Sequence, residues 1–290
     1  MDDLHGRIRD ALGSAPVSVT RLDGGEIGTV RRVDLDDGRT VVTKTGSTPL
    51  SIEADMLDHL ARRSELPVPD VLYADDDLLV LTFVEGTPVN AVDTDGGVSA
   101  AVEREAADHL AALHGVSVDR FGFGWDTLDG PIPQPNPWTD EWIPFFRECR
   151  LRHCADLAVD GGDIPQGLSR RIRLLAADLD DRLTEPERPA LLHGDAWGGN
   201  VLVDDGRITA WLDPAIYYGH PETDLAYVAW TDTFGEPFFE RYRKRRGIED
   251  GFFEDRVDIY ACHPLLVHTI VFDDDRYVRE LDRTLARLGY

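Results

Sequence analysis

The feature that most constrains the fold is a change of sequence pattern near residue 85. Before it, the order is strand, glycine-rich turn, strand, strand, helix, strand and strand. After it, helical periodicity dominates, apart from a short strand-and-loop segment at 190–218. We therefore predict an α+β protein with a cleft near residue 85, which separates a small antiparallel β-rich lobe with one helix, residues 1–85, from a larger, mainly helical lobe, residues 86–290.

The predicted elements of the first lobe alternate with turn residues. Five short runs of strand-forming residues predict strands at 17–22, 29–35, 39–44, 71–74 and 78–84. A helix is predicted to begin at Ser51, because the apolar residues that follow recur on one helical face.

Helical periodicity in the second lobe is interrupted twice. The predicted helical regions are 98–114, 138–158, 167–183 and most of 221–288. The aromatic, Gly-rich and Pro-rich segment 121–137 predicts a structured surface loop. Within 190–218, the Asp-Asp-Gly sequence at 204–206 predicts a hairpin turn.

The charge balance excludes several classes of partner. The chain has 30 Lys and Arg against 55 Asp and Glu, a net charge of -25, which argues against nucleic acid or an anionic membrane surface. The longest segment without a charged residue, 259–272, has 14 residues, whereas a membrane span needs about 20. Residues 1–5 contain neither a basic region nor an apolar run, so no signal peptide is expected.

The choice of charged residues is uneven. The chain has 28 Arg but only two Lys, Lys44 and Lys244, and 39 Asp but only 16 Glu. This pattern resembles cytosolic proteins of salt-loving microbes, since multimolar salt shortens the Debye length to about 3 Å and screens the acidic surface. An ordinary acidic protein of a mesophile is the alternative. Three cysteines without a C-x-x-C pattern predict reduced, buried thiols and a cytoplasmic location.

The strongest chemical signal is the sequence His-Gly-Asp-Ala-Trp-Gly-Gly-Asn at 193–200, with Asp213 beyond the predicted hairpin. Phosphoryl transfer needs a carboxylate beside the attacking hydroxyl, for which Asp195 is the candidate. It also needs hard oxygen ligands for magnesium, which Asn200 and Asp213 can supply. Each residue alone is equally typical of turn capping. Their joint pattern favours a catalytic loop.

A lysine and a glycine-rich turn supply matching parts upstream. Lys44 ends a predicted strand and can hold nucleotide phosphates, while Glu53 on the following helix can orient it. A solvated surface lysine is the alternative, but the chain uses Arg almost everywhere else. The turn containing Gly24, Gly25 and Gly28 can fold over phosphates with its backbone N–H groups, although a plain hairpin has the same pattern.

These motifs together resemble a known family. The H-G-D-x-x-x-x-N pattern followed by Asp-Pro resembles the small-molecule branch of the protein-kinase-like fold. Within that branch, segments 191–200 and 213–226 are similar to the fructosamine kinase (ketosamine 3-kinase) family. Segment 121–124 and four later residues resemble that family's central loop: Gln134, Asn136, Trp138 and Trp142. The likeness covers residues 15–288, and the three motifs agree in order and spacing.

The resemblance implies an ATP-dependent kinase that phosphorylates the 3-hydroxyl of a fructosamine or related ketosamine. It implies that Asp195 accepts or orients the hydroxyl proton, that Asn200 and Asp213 hold Mg²⁺, and that Lys44, placed by Glu53, holds the ATP phosphates. The adenine would contact a hinge of three residues, Thr82, Phe83 and Val84. A phosphate on C3 is a leaving group next to the C2 carbonyl, so elimination can follow, release the amine and repair glycation.

Five other residues have weaker assignments. Trp197 either lines the sugar site or belongs to the core, and His220 is expected to position a loop or to contact substrate. Glu222 and Asp224 are expected to orient that loop by capping the next helix. Glu26 stands in the glycine-rich turn where many family members have cysteine, so we expect no redox switch there and a solvent-facing carboxylate.

Other functions stay open at this point. A kinase of the same fold could act on an aminoglycoside, choline or a sugar, and a nucleotide-binding regulator without turnover is a further alternative. The sequence leaves open the oligomeric state, the particular ketosamine, and whether its amine is free or part of a protein.

Overall fold

The computed structural model of the chain describes residues 2–22, 28–92 and 98–290. Its packing divides the chain into two units. The first comprises Met1–Val98 and Gly199–Pro214, and the second comprises Ser99–Gly198 and Ala215–Tyr290. The lobes predicted at 1–85 and 86–290 are consecutive along the chain, whereas the first unit also includes a segment from much later in the sequence.

The first unit is built on a five-stranded antiparallel sheet. Its strands are β1 Pro16–Arg21, β2 Gly28–Leu35, β3 Thr40–Gly46, β4 Val71–Ala74 and β5 Leu79–Thr82. Their order across the sheet is β1-β2-β3-β5-β4. All five predicted strands form, with ends within two residues of the predicted ones. Gly24, Gly25 and Glu26 lie outside the described residues.

Helices cover this sheet on both faces. Helix α1, Asp2–Leu12, inserts Ile8 into a cluster that includes Val80 of β5, and helix α2, Leu50–Arg63, inserts Leu57 into a cluster that includes Leu81. Ile8 and Val80 are fully buried, and Leu57 is 1% exposed. Leu78 packs in the cluster with Ile8 and Leu79 in the cluster with Leu57, because successive residues of an extended chain face opposite sides of a sheet. The prediction of a single helix was wrong, since it lacked α1.

A later hairpin completes the first unit. Strands β10, Val201–Asp204, and β11, Arg207–Trp211, form a sheet with β6, Thr87–Pro88, which is followed by a 3₁₀ turn at Val89–Ala91. The predicted turn forms, and its two central residues, Asp205 and Gly206, have φ of 45° and 73°. Both angles suit a two-residue hairpin turn.

The second unit is mainly helical. Its helices are α3 Ala100–Leu113, α4 Trp142–Phe146, α5 His153–Gly161, α6 Gln166–Ala177, α7 Leu179–Arg182, α8 Glu222–Trp230, α9 Glu236–Arg246, α10 Val257–Val271 and α11 Asp275–Arg287. Two π-helical turns, Arg147–Arg152 and Phe252–Arg256, precede α5 and α10. Helix α10, in which ten of the fifteen residues are buried, packs against α5, α8 and α11 and forms the centre of this unit.

Short strand pairs support the loops of the second unit. Strand β7, Thr127–Asp129, pairs with β8, Ile132–Gln134, and β9, Ala190–Leu191, pairs with β12, Tyr218–Gly219. The predicted 121–137 loop therefore contains a small hairpin. The antiparallel sheet of the first unit and the helices of the second confirm the predicted α+β class. No helix within residues 2–22, 28–92 and 98–290 is both long enough and apolar enough to cross a membrane.

Candidate active site

Lys44, Glu53 and Asp213 meet within the first unit. Lys44 lies on β3, where it pairs with Val30 of β2 and Leu79 of β5. Its Nζ donates to Glu53 Oε1 at 2.6 Å and also to Asp213 Oδ1. The side chains of Lys44 and Glu53 are 15% and 17% exposed, whereas that of Asp213 is 49% exposed. The structure thus brings three of the predicted site residues together, with the Asp213 carboxylate on the accessible side.

The two carboxylates of this cluster stabilise the charged form of Lys44 but oppose each other. Burial alone would lower the pKa of Lys44, but the carboxylates of Asp213 and Glu53 outweigh it and raise that pKa above its ordinary value. Burial raises the pKa of Glu53, against the opposing effect of Lys44, and the charge of Asp213 raises it further. Lys44 is therefore a fixed ammonium at neutral pH. A fixed point charge of this kind suits an anionic ligand.

The β10–β11 hairpin brings Asn200 close to the residue before Asp213. Val201 pairs with Trp211 at the open end of the hairpin, and the Leu212 N–H donates to the Asn200 carbonyl oxygen at 2.8 Å. Asp213 follows immediately with φ of 50°, in the left-handed region that few residues other than glycine adopt. The carboxylate of Asp213 and the amide oxygen of Asn200 are hard oxygen ligands, so this donor set fits magnesium.

Two more of the predicted nucleotide-binding residues, Gly28 and Thr82, lie on the same sheet. Gly28 begins β2 opposite Gly46, and a Cβ at Gly28 would lie 2.8 Å from the Thr45 carbonyl oxygen. Thr82 ends β5 opposite Val41 of β3, three residues from Lys44, or about 10 Å along the strand.

The residues predicted to form the hinge, at the end of β5 and just after it, contact neighbours in the first unit. Thr82 Oγ1 accepts the Asp70 N–H at 2.9 Å, and the Phe83 ring lies 4.7 Å from Arg32 Cζ. Val84 follows as a half-buried residue. Thr82, Phe83 and Val84 therefore continue directly from a strand adjacent to that of Lys44.

A buried carboxylate anchors the loop that carries Asp195 in the second unit. Asp224, which is 1% exposed, accepts the backbone N–H of His193 at 2.8 Å and that of Gly194 at 2.9 Å. His114 Nε2 lies 3.0 Å from the same carboxylate. Burial alone would raise the pKa of Asp224, but the hydrogen bonds from His114 and the His193 backbone help to lower it below its ordinary value. Asp224 is a buried anion that orients this loop.

This contact corrects the expectation for Asp224 and Glu222. Helix α8 has Pro221 at its N-cap position and no side-chain cap, and both acidic residues of its first turn have other partners. Asp224 holds the loop, and Glu222 forms a bidentate ion pair with Arg256, in which both hydrogen bonds are 2.7 Å long. Capping was the wrong mechanism, although Asp224 does orient the loop.

His220 is engaged inside the second unit. The ring is 6% exposed, and its Nδ1 accepts the Glu222 N–H at 3.1 Å. Its carbonyl oxygen accepts from Thr223 Oγ1 at 2.7 Å. Burial, with the nearby charge of Arg256, lowers the pKa of His220 to about 3. The imidazole is therefore neutral and fixes the start of α8.

Backbone contacts hold the Asp195 loop at both ends. Gly194 has φ of 84°, and a Cβ there would collide with the Ala215 carbonyl oxygen. The Ala215 N–H donates to the His193 carbonyl oxygen at 2.8 Å, and the Gly198 N–H donates to Thr233 Oγ1 at 2.9 Å. Trp197 within the loop is half-buried. Asp195 and Trp197 belong to the second unit, whereas Asn200 is the second residue of the later segment of the first.

Sequence reasoning missed Arg150, a supporting residue that is fully buried. Its Nη2 donates to Asn136 Oδ1 at 2.6 Å, and its guanidinium carbon lies 3.9 Å from the centre of the Tyr217 ring. Gln134 Nε2 donates to the Ala215 carbonyl oxygen at 3.2 Å. The central loop thus supports the segment that follows Asp213. No local signal distinguishes Arg150 among 28 arginines.

A family model and two curated relatives match most of the chain. The family model described as fructosamine kinase matches residues 4–288. A Pasteurella multocida protein assigned as a ketoamine kinase is 32% identical over 246 residues, 80% of either chain. The chloroplastic protein-ribulosamine 3-kinase of Arabidopsis thaliana is 37% identical over 183 residues, which is 61% of this chain and 55% of that protein.

A solved structure agrees with these relatives. A protein from Thermobifida fusca assigned as a fructosamine-3-kinase is 29% identical, with a TM-score of 0.84 over 100% of this chain and 99% of that one. This likeness extends through both units and confirms the predicted fold. Because the family model and the Pasteurella relative each cover most of the sequence, the chain belongs to the fructosamine kinase family.

Proposed function

We propose that this chain is an ATP-dependent kinase that phosphorylates the 3-hydroxyl of ketosamines. Membership of the fructosamine kinase family supports the reaction class. The observation that carries the proposal is the cluster of Lys44, Glu53 and Asp213, which combines a fixed cation with an accessible carboxylate. Phosphoryl transfer depends chiefly on such positioning and charge stabilisation.

The nucleotide would be held by residues of the first unit. Lys44, placed by Glu53, would bind ATP phosphates, and the segment Thr82, Phe83 and Val84 would contact adenine. Backbone N–H groups of the turn containing Gly24, Gly25 and Gly28 would cover the phosphates. Asn200 and Asp213 would hold Mg²⁺, which neutralises charge on the phosphates when bound.

Asp195 would act on the acceptor hydroxyl. Its carboxylate would accept the proton of the ketosamine 3-hydroxyl as that oxygen bonds to the γ-phosphorus of ATP and the bond to the β-phosphate oxygen breaks. ADP and the 3-phosphorylated ketosamine are the products. Asp224 contributes by fixing the loop on which Asp195 lies.

The position of the phosphate would determine the biological outcome. Phosphate on C3 is a leaving group: loss of a C1 proton gives the 1,2-enaminol, phosphate then leaves C3, and water hydrolyses the resulting imine to free the amine. The kinase would thus repair glycated amines. Trp197 is half-buried in the Asp195 loop and is our candidate for contact with the sugar. Burial of the His220 ring within the second unit argues against its contact with substrate.

We also propose a cytoplasmic location for this chemistry. Cys149, Cys154 and Cys262 are free thiols, and the last two are buried. Free thiols are typical of a reducing compartment.

An acceptor panel tests the proposal. ADP release would be measured with fructoselysine, ribuloselysine, choline, an aminoglycoside and free sugars, in parallel with an Asp195→Asn variant. We expect the highest kcat/KM on a ketosamine and its loss in the variant. Equal or higher kcat/KM on choline or an aminoglycoside would contradict the substrate assignment. Nucleotide binding without turnover on any acceptor would favour a regulatory protein.

A further inference from the structure

The hydroxyl of Tyr227 lies between Asp195 and a histidine on another helix. Tyr227, on α8, is 6% exposed. Its hydroxyl forms a hydrogen bond with the Asp195 side chain and lies 3.0 Å from Nε2 of His268 on α10. Burial raises the pKa of Tyr227 well above its ordinary value, and the charge of Asp195 adds to that rise. The phenol is therefore protonated at any working pH.

His268 is enclosed by aromatic rings. The ring centres of Trp230, Phe272 and Tyr277 lie 5.0, 5.1 and 4.8 Å from that of His268. Burial, with the charge of Arg276, lowers the pKa of His268 to about 4. The imidazole is therefore neutral at pH 7 and carries one N–H. Within the described part of the chain, its buried Nδ1 has no hydrogen-bond partner.

The direction of each hydrogen bond follows from the number of protons. The ionised carboxylate of Asp195 can only accept, so the single proton of the Tyr227 hydroxyl is donated to it. The contact between Tyr227 and His268 then needs a proton from the imidazole. Nε2–H of His268 donates to the phenol oxygen, and Nδ1 keeps its lone pair. His268 thereby fixes which way the Tyr227 hydroxyl points.

We propose that Tyr227 is a positioning residue for Asp195 and that His268 acts through Tyr227. A hydrogen bond from the Tyr227 hydroxyl restricts rotation of the Asp195 carboxylate. The carboxylate is therefore oriented for the acceptor hydroxyl before substrate binds. Neither Tyr227 nor His268 touches the reacting atoms in this scheme. The inference rests on the proposed role of Asp195 in proton acceptance.

Single variants test the two contacts separately. Tyr227→Phe removes only the hydroxyl and is expected to lower kcat about tenfold, because a hydrogen bond to a charged group is lost. KM for ATP and for ketosamine should change less than about twofold, since kcat alone reports the orientation of Asp195. His268→Leu should lower kcat similarly. His268→Gln, which can restore an N–H donor, should recover most of that loss.

A double-variant cycle distinguishes action through Tyr227 from general packing. In the Tyr227→Phe background, His268→Leu should cause no further loss of kcat. If the losses of kcat in the two single variants multiply in the double variant, or if Tyr227→Phe leaves kcat unchanged, the inference is overturned while the kinase proposal stays intact. Absence of ketosamine turnover in the wild-type protein would instead overturn the proposed function.

The tautomer of His268 provides a readout that needs no turnover. Nitrogen-15 NMR of histidine-labelled protein is expected to show the Nε2–H form of His268 at pH 7, with its assignment confirmed by loss of the signal in His268→Gln. An Nδ1–H tautomer would make Tyr227 the donor to His268 and would overturn the inference. A protonated imidazole at pH 7 would contradict it equally.

Discussion

The carboxylate of Asp224 accepts the backbone N–H of His193 at 2.8 Å, so a residue on α8 fixes the start of the loop that carries Asp195. The same carboxylate also receives the Gly194 N–H and lies 3.0 Å from His114 Nε2. The two backbone partners are obligatory donors. Only a group with two acceptor oxygens and no donor of its own satisfies both without conflict.

Asp224→Asn is expected to disturb this loop severely. The asparagine amide has only one acceptor oxygen, so it can satisfy only one of the two backbone N–H groups. Its NH₂ group then faces the other N–H in a buried site. We expect a destabilisation of about 3 kcal/mol and a fall in kcat of about a hundredfold. Urea unfolding and turnover would be measured beside Asp232→Asn, an exposed position just after α8. Near-wild-type turnover in Asp224→Asn would contradict the anchoring role.

The pKa of Asp224 predicts how this stability difference depends on pH. The folded-state pKa lies below the ordinary value of 3.8, so the unfolded chain binds the proton more readily and the stabilisation is fully present above about pH 4. It is lost as pH falls through the lower, folded-state value. The difference in unfolding free energy between wild type and Asp224→Asn should therefore be constant from pH 7 to 5 and shrink below pH 4. A difference that already declines near pH 6 would contradict this assignment.

Lys44→Arg tests whether the ammonium is needed as a point charge. Lys44 touches Glu53 and Asp213 in a confined space, and the bulkier, delocalised guanidinium cannot occupy the same point. We expect about a hundredfold loss of turnover, or about 3 kcal/mol in the barrier, with little change in melting temperature. Lys244→Arg is the matched control, since its side chain is 72% exposed. Equal activity of the two variants would remove Lys44 from the site.

Local sequence patterns were enough to predict the contact between Lys44 and Glu53. A strand followed by a helix places residues nine positions apart within reach, and Nζ and Oε1 are indeed 2.6 Å apart. The strands of the sheet were equally predictable, because they alternate regularly with turn residues. Helix α1 was missed, even though Ile8 and its flanking leucines recur at helical spacing and pack on one sheet face.

The role of Asp224 was beyond local patterns. An Asp in the first turn of a helix is by default a capping residue, whereas its actual partners lie 30 and 31 residues earlier in the chain. Arg150 shows the same limit, because only folding buries it beneath Tyr217. Such contacts depend on tertiary packing rather than on spacing in the sequence.

Gly194→Ala tests how closely the loop must approach Ala215. A Cβ at Gly194 would collide with the Ala215 carbonyl oxygen. A Cβ at Gly206 would have no atom of the described part of the chain within 4 Å. Both glycines have positive φ, 84° and 73°, so Gly206→Ala controls for backbone strain alone. We expect about 1 kcal/mol of destabilisation at Gly206 and at least about 3 kcal/mol, with loss of turnover, at Gly194. Equal effects of the two changes would contradict the close approach.

The net charge of -25 predicts a salt-dependent fold. With 55 anionic and 30 cationic side chains, repulsion exceeds attraction, so screening should stabilise the folded state. The melting temperature is expected to rise by about 5 °C or more between 0.1 M and 2 M potassium chloride. Sucrose, which stabilises folded proteins without screening charge, is the control, and at low salt it should raise the melting temperature less than potassium chloride does. A melting temperature that stays flat or falls with added salt would refute halophilic adaptation.

The position of the transferred phosphate tests the central claim most directly. Fructoselysine or ribuloselysine labelled with carbon-13 in the sugar would be incubated with ATP, Mg²⁺ and the protein, and the product followed by carbon and phosphorus NMR. We predict that phosphorus couples to C3 as the ester carbon and that free lysine then appears as the 3-phosphate eliminates. A phosphate on any other hydroxyl, or a stable product that never releases lysine, would contradict a ketosamine 3-kinase that repairs glycation.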